Sequence, residues 1–210
     1  SLVGLRDVYK RQVLQNINAT FDAGLIHGVI GKNGAGKTVL LRLLCGLMHP
    51  SKGQVIVDGK QLGKDVDFAP DAGIIIETPC FLPYLSGFQN LKELASIRNI
   101  ISKEEIAEAM EQVKLDPSSR KHVGKYSLGM RQRLGIAQAI MERPRYLILE
   151  EPMNGLDTQG MEDVRELLQK QKETGVTVIL ASHSMEDIRL LCDTVHRIQD
   201  ASLIPCTTCL

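Results

Sequence analysis

The chain has 210 residues, 43% of them hydrophobic, 24% charged and 4% aromatic, enough to bury one full core and without the bias of a disordered or repetitive sequence. Its 25 Lys and Arg balance its 25 Asp and Glu, so no basic field draws in phosphodiester backbones, and nucleic acid is not an expected partner. The longest apolar runs, such as Tyr146 to Leu149 and Val176 to Ala181, fall far short of the roughly 20 residues of a spanning helix; with no signal-peptide pattern and five scattered cysteines, a cytosolic setting is expected.

In chain order, Ser1 to Gln12 resembles translated sequencing-adapter reads and is expected to be a non-native leader. From Val13 onward, short apolar runs alternate with amphipathic stretches, the pattern of a parallel sheet covered by helices on both faces, hence α/β architecture. Strands are expected at Val13 to Phe21, Leu25 to Ile30, Gln54 to Val57, Gly73 to Ile76, Tyr146 to Leu149, Val176 to Ala181 and Thr194 to Ile198. Between Ile76 and Tyr146 only helix-like segments occur, which predicts a helical lobe over about 78–143 inserted into a single domain spanning 13–198. Ile106, Ala109, Met110 and Val113, and later Met161, Val164, Leu167 and Leu168, recur at three- and four-residue steps and read as core stripes. Residues 199–210 are expected to be a truncated or out-of-frame tail. Cys206 and Cys209 within it form a C-x-x-C pair without the second pair or flanking fold that metal or redox chemistry needs.

Two segments carry chemistry. Gly31-Lys32-Asn33-Gly34-Ala35-Gly36-Lys37-Thr38 follows an apolar strand and precedes the helical run Val39 to Met48, matching the phosphate-loop template G-x-x-x-x-G-K-[ST]. Glycines let successive N–H groups curl around phosphates, and the helix N-terminus adds positive partial charge. Lys37 is placed for the β- and γ-phosphates, and the Thr38 hydroxyl for Mg²⁺. The bland alternative is a Gly-rich turn with a chance lysine. Further on, the strand Tyr146 to Leu149 runs into Glu150-Glu151. Two adjacent carboxylates at a strand end suit a metal and an attacking water, the first orienting metal-bound water and the second polarising the nucleophile; the alternative is an acidic turn.

With these segments, Tyr126-Ser127-Leu128-Gly129-Met130-Arg131-Gln132-Arg133-Leu134, Asn154-Gly155-Leu156-Asp157 and Ser182-His183 resemble, in order, the signature motif, D-loop and switch histidine of the ABC transporter ATPases. The resemblance covers about Val13 to Ile198. It implies a P-loop NTPase core with a mainly parallel sheet, an N-terminal antiparallel β portion and an inserted α-helical signature subdomain. It also implies ATP and Mg²⁺ as ligands, a second copy as partner and a separate transmembrane permease, with the chain peripheral on the inner face of the cell membrane. By that match, Gly31, Asn33, Gly34, Ala35, Gly36, Lys37, Thr38 and Val39 bind nucleotide. Thr38, Glu77 and Glu150 hold the metal, and Glu77 also senses the γ-phosphate. Glu151 is the general base, His183 contacts the γ-phosphate, Ser127 and Gly129 meet ATP held by the other subunit, and Asp157 links the two sites.

The pattern departs from the commonest family form at Glu150, where aspartate is usual, and at Glu77, where glutamine is usual. Leu128 and Met130 replace a glycine and a glutamine of the signature. Glu77, followed by Pro79, Pro83, Tyr84, Leu85, Ser86, Gly87, Asn90 and Leu91, resembles the branch that exports or confers immunity to peptide antibiotics of the lantibiotic and bacitracin type. The family's adenine-stacking aromatic aligns with Val8, so stacking by Tyr9 is not expected. Two rival readings stand beside this one. A non-transport switch on DNA or ribosomes predicts insertions or a second domain not seen here. A binding-only module predicts ATP-driven dimerisation without turnover.

Overall fold

A computed structural model describes residues 13–206 of the chain. Its elements run β1 (Ile26–Ile30), α1 (Lys37–Cys45), β2 (Ile56–Val57), β3 (Lys60–Gln61), β4 (Ala72–Ile75), α2 (Gly87–Arg98), α3 (Lys103–Gln112), a 3-10 turn (Val123–Lys125), α4 (Leu128–Ile140), β5 (Tyr146–Glu150), α5 (Thr158–Glu173), β6 (Thr177–Ala181), α6 (Met185–Leu191), β7 (Thr194–Gln199) and β8 (Ser202–Pro205). The main sheet has six strands in the order β4-β5-β6-β1-β7-β8. Every pairing in it is parallel except β7 with β8.

Central strands of a parallel sheet are covered on both faces, and so must be apolar along their whole length. All five residues of β1 and all five of β6 are buried. Alternation then sorts side chains between two cores: Leu147 and Leu149 of β5 join Val178, Leu180 and the helices of the middle lobe, while Ile148 joins Val29, Ile179 and, from α1, Leu40, Leu41 and Cys45. Each such fully buried aliphatic side chain contributes on the order of 1.5–3 kcal/mol.

The segment between β4 and β5 holds α2, α3, the 3-10 turn and α4. Its helices begin where their sequence allows: α2 and α3 each open with a reciprocal capping box, Ser86 with Gln89 and Ser102 with Glu105. Leu91, Ile106, Met110 and Leu134 pack into the same cluster as β5 and β6, so the lobe shares a core with one sheet face. The expected mainly parallel α/β architecture with a helical insertion is the observed one.

Three segments differ from the sequence expectation. Val13 to Phe21 forms no strand, because Asn16 adopts a left-handed backbone (φ 50°) that breaks the extended run; Gln15 N–H donates to the Ala201 carbonyl at 2.7 Å instead. The antiparallel part lies after α1, where β2 and β3 pair across Asp58 and Gly59, both at positive φ, as a tight hairpin requires. Finally, β8 pairs with β7, in a stretch where no strand was expected. Among the described residues no helix is long and apolar enough to cross a membrane. Val8, Tyr9 and Cys209 lie outside the described residues.

Candidate active site

Because β4, β5, β6 and β1 run parallel, their carboxyl ends open on one edge of the sheet, where α/β folds bind ligands. Gly31 follows β1, Glu77 lies just past β4, Glu150 ends β5, and Ser182-His183 follows β6. Glu150 pairs in register with Ala181, which brings the acidic pair and the histidine together.

The loop from Gly31 to α1 turns through left-handed backbone at Gly34 (φ 78°) and Gly36 (φ 109°). Nothing lies within 4 Å of where a Gly34 Cβ would stand, so the loop crest is open. Ala35 N–H donates to the Lys32 carbonyl at 3.0 Å, Asn33 is exposed, and Val39 is partly buried on α1. Lys37 is buried, and its Nζ donates to the Gly31 carbonyl at 2.8 Å, across the mouth of the loop. Helix α1 starts at Gly36 with no side-chain cap, whereas α2 to α6 are capped by Ser86, Ser102, Ser127, Asp157 and Ser184. The first-turn N–H groups of α1 thus lack a side-chain acceptor, the arrangement that suits an anion such as phosphate.

The Thr38 hydroxyl donates to Glu150 Oε1, and the Glu77 N–H donates to Glu150 Oε2 at 3.1 Å. Among the described residues no three His, Cys, Asp or Glu side chains cluster as a metal cage. One carboxylate beside one hydroxyl, with phosphate oxygens and water completing the shell, is nonetheless the donor set that Mg²⁺ prefers. The additional methylene of Glu150 is accommodated, since its carboxylate spans Thr38 and the Glu77 N–H. Glu77 thus touches Glu150 through its backbone, while its Oε1 pairs with Arg42 Nη2 at 2.8 Å. Repulsion from Glu150 and the nearby guanidinium both favour that direction, and the left-handed backbone at Glu77 (φ 62°) turns its N–H, not its side chain, toward Glu150.

Glu151 is also left-handed (φ 49°), with its N–H donating to the Ala181 carbonyl at 2.8 Å. Its Oε2 lies 2.8 Å from His183 Nδ1 and 3.4 Å from Ser182 Oγ, which donates to it. A carboxylate held by an imidazole at the rim of a phosphate loop can accept a proton from water. Sequence reasoning missed two residues here. Gln132, buried in α4, donates from Nε2 to the carbonyls of Glu151 and Pro152 at 3.4 and 3.1 Å, tying the helical lobe to the end of β5. Arg42 is the other, and its four-residue spacing from Thr38 on α1 was the available signal.

Ser127, Gly129 and Asp157 form a second group. The Ser127 Oγ caps α4 by accepting the Met130 N–H at 3.1 Å, and Asp157 caps α5 by accepting the Gly160 N–H at 2.9 Å. Gly129 lies against the 154–157 turn, where an added Cβ would stand 2.9 Å from the Gly155 carbonyl oxygen. Among the described residues no hydrogen bond or ion pair joins this group to Gly31 to Thr38.

The sequence profile of the family described as "ABC transporter" matches residues 14–154. The uncharacterized ABC transporter ATP-binding protein YybJ of Bacillus subtilis (strain 168) is 45% identical, over 90% of this chain and 86% of that protein. The bacitracin transport ATP-binding protein BcrA of Enterococcus faecalis is 39% identical over 91% of this chain and 63% of that protein. The lantibiotic transport ATP-binding protein SrtF of Streptococcus pyogenes is 34% identical over 93% and 84%. The chain thus spans about two thirds of the length of some relatives and more of others. Among solved structures, an ATP-binding subunit of an ABC transporter superposes with a TM-score of 0.84 at 26% identity, covering 95% of this chain and 86% of that one.

Proposed function

Because this chain belongs to the ABC transporter family, as an ATP-binding subunit and an ATPase, we propose that two copies sandwich two Mg-ATP molecules and drive a separate membrane permease. The cargo class is a peptide antibiotic or similar amphipathic compound, exported or neutralised as immunity. The similarity to proteins named for bacitracin and lantibiotic transport supports that class. The chain works on the cytoplasmic face of the membrane.

The observation that carries the reading is the convergence of the uncapped α1 N-terminus, the Thr38–Glu150 pair and the Glu151–His183 pair on one edge of the sheet. The N–H groups of Gly34 to Val39 and the Lys37 ammonium bind the phosphates; Thr38 and Glu150 hold Mg²⁺, which neutralises charge as the terminal phosphoryl group departs. Glu151 takes a proton from the attacking water, and His183 keeps its carboxylate in place. Binding of ATP draws Lys37 from the Gly31 carbonyl onto phosphate oxygens.

Ser127 and Gly129, at the exposed start of α4, meet the ATP of the opposite copy, and Asp157 sits between the two sites. Motion passes to the permease through Glu77 and the loop from Tyr84 to Asn90. Asn90, buried, accepts the Leu82 N–H at 2.8 Å and donates to the Leu82 and Ser86 carbonyls at 3.1 and 3.0 Å. It thereby stiffens a loop that leaves Tyr84 exposed for contact.

Mg²⁺-dependent turnover of the chain against Glu151→Gln, with dimerisation followed by light scattering, tests the reading. Loss of turnover by about 100-fold or more, with an ATP-bound dimer that persists, is expected. A variant that hydrolyses ATP like its parent overturns the role of Glu151. Protection from bacitracin or a lantibiotic when chain and permease are co-expressed in a sensitive strain tests the cargo class.

A further inference from the structure

We propose that Gln132 is a positioning residue for the hydrolytic step: it fixes the backbone on which Glu151 stands, and so links that glutamate to the helix whose start meets the ATP of the opposite copy. The proposal rests on the reading above, in which Glu151 takes a proton from the attacking water and Gln132 has no task.

Glu151 has a left-handed backbone (φ 49°), a conformation that a residue with a side chain keeps only where its surroundings impose it. Contacts from three directions do so. From β6, the Ala181 carbonyl accepts the Glu151 N–H at 2.8 Å, and across the turn that follows, the Glu151 carbonyl accepts the Asn154 N–H at 3.0 Å. The third set comes from the helical lobe, where Gln132 Nε2 donates to the Pro152 carbonyl at 3.1 Å and, at a longer 3.4 Å, to the Glu151 carbonyl. One amide thus spans the two carbonyls that follow the Glu151 Cα. Gln132 is 7% exposed, so water has little access to replace the bond once the amide is removed.

Helix α4 touches the 151–157 segment at two further points. Leu128 fills the space that a Gly155 Cβ would take, with its Cγ and Cδ2 each 2.5 Å from that position, and Gly129 lies beneath the Gly155 carbonyl. Ser127 caps α4, and Gln132 lies little more than one turn further along it. A helix is rigid over so short a span, so a displacement of its start is carried to Gln132 and from there to the Glu151 backbone. Contact of Ser127 and Gly129 with the opposite copy's ATP therefore steadies the proton acceptor of this copy's own site. A misplacement of about 1 Å in a reacting group costs on the order of 100-fold. Loosening this backbone slows hydrolysis while leaving ATP bound, because the phosphates meet α1 and not α4.

Gln132→Leu, which keeps most of the volume and removes the donor, tests this in the parent and in the Glu151→Gln background. Release of labelled phosphate from ATP gives the rate, light scattering gives ATP-induced dimerisation, and thermal melts confirm folding; Gln132→Met replaces the leucine variant if that one does not fold. In the parent background hydrolysis is expected to slow about 10- to 100-fold, with the half-saturating ATP concentration and the dimer near those of the parent. Added to Glu151→Gln, the same change is expected to cause no further loss. Unchanged hydrolysis in a folded variant, an equal loss in both backgrounds, or loss of the ATP-bound dimer overturns the proposal, because Gln132 then does not act through Glu151. Glu151→Gln that hydrolyses ATP like the parent overturns the reading of the site itself, and the role of Gln132 with it.

Discussion

His183 Nδ1 stands 2.8 Å from Glu151 Oε2, across the gap between the ends of the neighbouring strands β6 and β5. The contact exists because the two strands are in parallel register and both end on the same edge of the sheet. His183 is exposed, so its removal leaves no cavity. His183→Ala is therefore expected to reduce turnover by about 100-fold or more while the thermal midpoint stays near that of the parent, measured by phosphate release and by circular dichroism.

The contact of Gly129 with the 154–157 turn predicts a different pattern. A Cβ there meets the Gly155 carbonyl oxygen at 2.9 Å, a backbone atom that can yield only if the turn shifts. Gly129→Ala is expected to lower stability by about 1–3 kcal/mol, seen as an earlier urea midpoint, and to weaken ATP-induced dimerisation in light scattering because the start of α4 is displaced.

Arg165 binds the buried carboxylate of Asp187 through Nε at 2.9 Å and Nη2 at 2.5 Å, joining α5 to α6 behind the histidine loop. Asp187 is 2% exposed, so removing the guanidinium leaves an uncompensated buried charge. Arg165→Leu is expected to cost about 3–5 kcal/mol in urea denaturation, and Asp187→Asn in the Arg165→Leu background to recover part of that loss.

Burial, with Asp193 and Asp187 close by, pushes the Cys192 thiol up to about 12 from its ordinary 9.0. Between those values the unfolded chain gives up a proton that the folded chain keeps. The thiol's contribution to stability is therefore fully present below the ordinary value and is lost as pH rises toward the folded one. The urea midpoint is expected to fall from pH 8 to pH 10.5, and less so in Cys192→Ala. At pH 8, iodoacetamide is expected to modify the exposed Cys80 while sparing Cys192 and the buried Cys45, checked by peptide mass spectrometry.

Much of the fold was legible because burial on both faces leaves a mark on sequence. Strands such as Tyr146 to Glu150 and Thr177 to Ala181 are apolar runs, and the stripe of Ile106, Ala109 and Met110 spells out one face of α3. The N-terminal run from Val13 to Phe21 looked equally extended. A strand, however, needs a partner as well as a composition, and Asn16 turns the chain before one is met.

The sequence by itself determined the local chemistry: glycines at the bends of the phosphate loop, serines and Asp157 at helix starts, and two glutamates at the end of an apolar strand. These follow from interactions within a few residues, which spacing records. Only the tertiary structure decided that Thr38 meets Glu150 across 112 residues, that Glu77 turns to Arg42 across 35, and that Gln132 reaches the end of β5. Those contacts depend on which strands lie side by side and where each ends. That order is set by burial summed over the whole sheet, and no single stretch of sequence carries it.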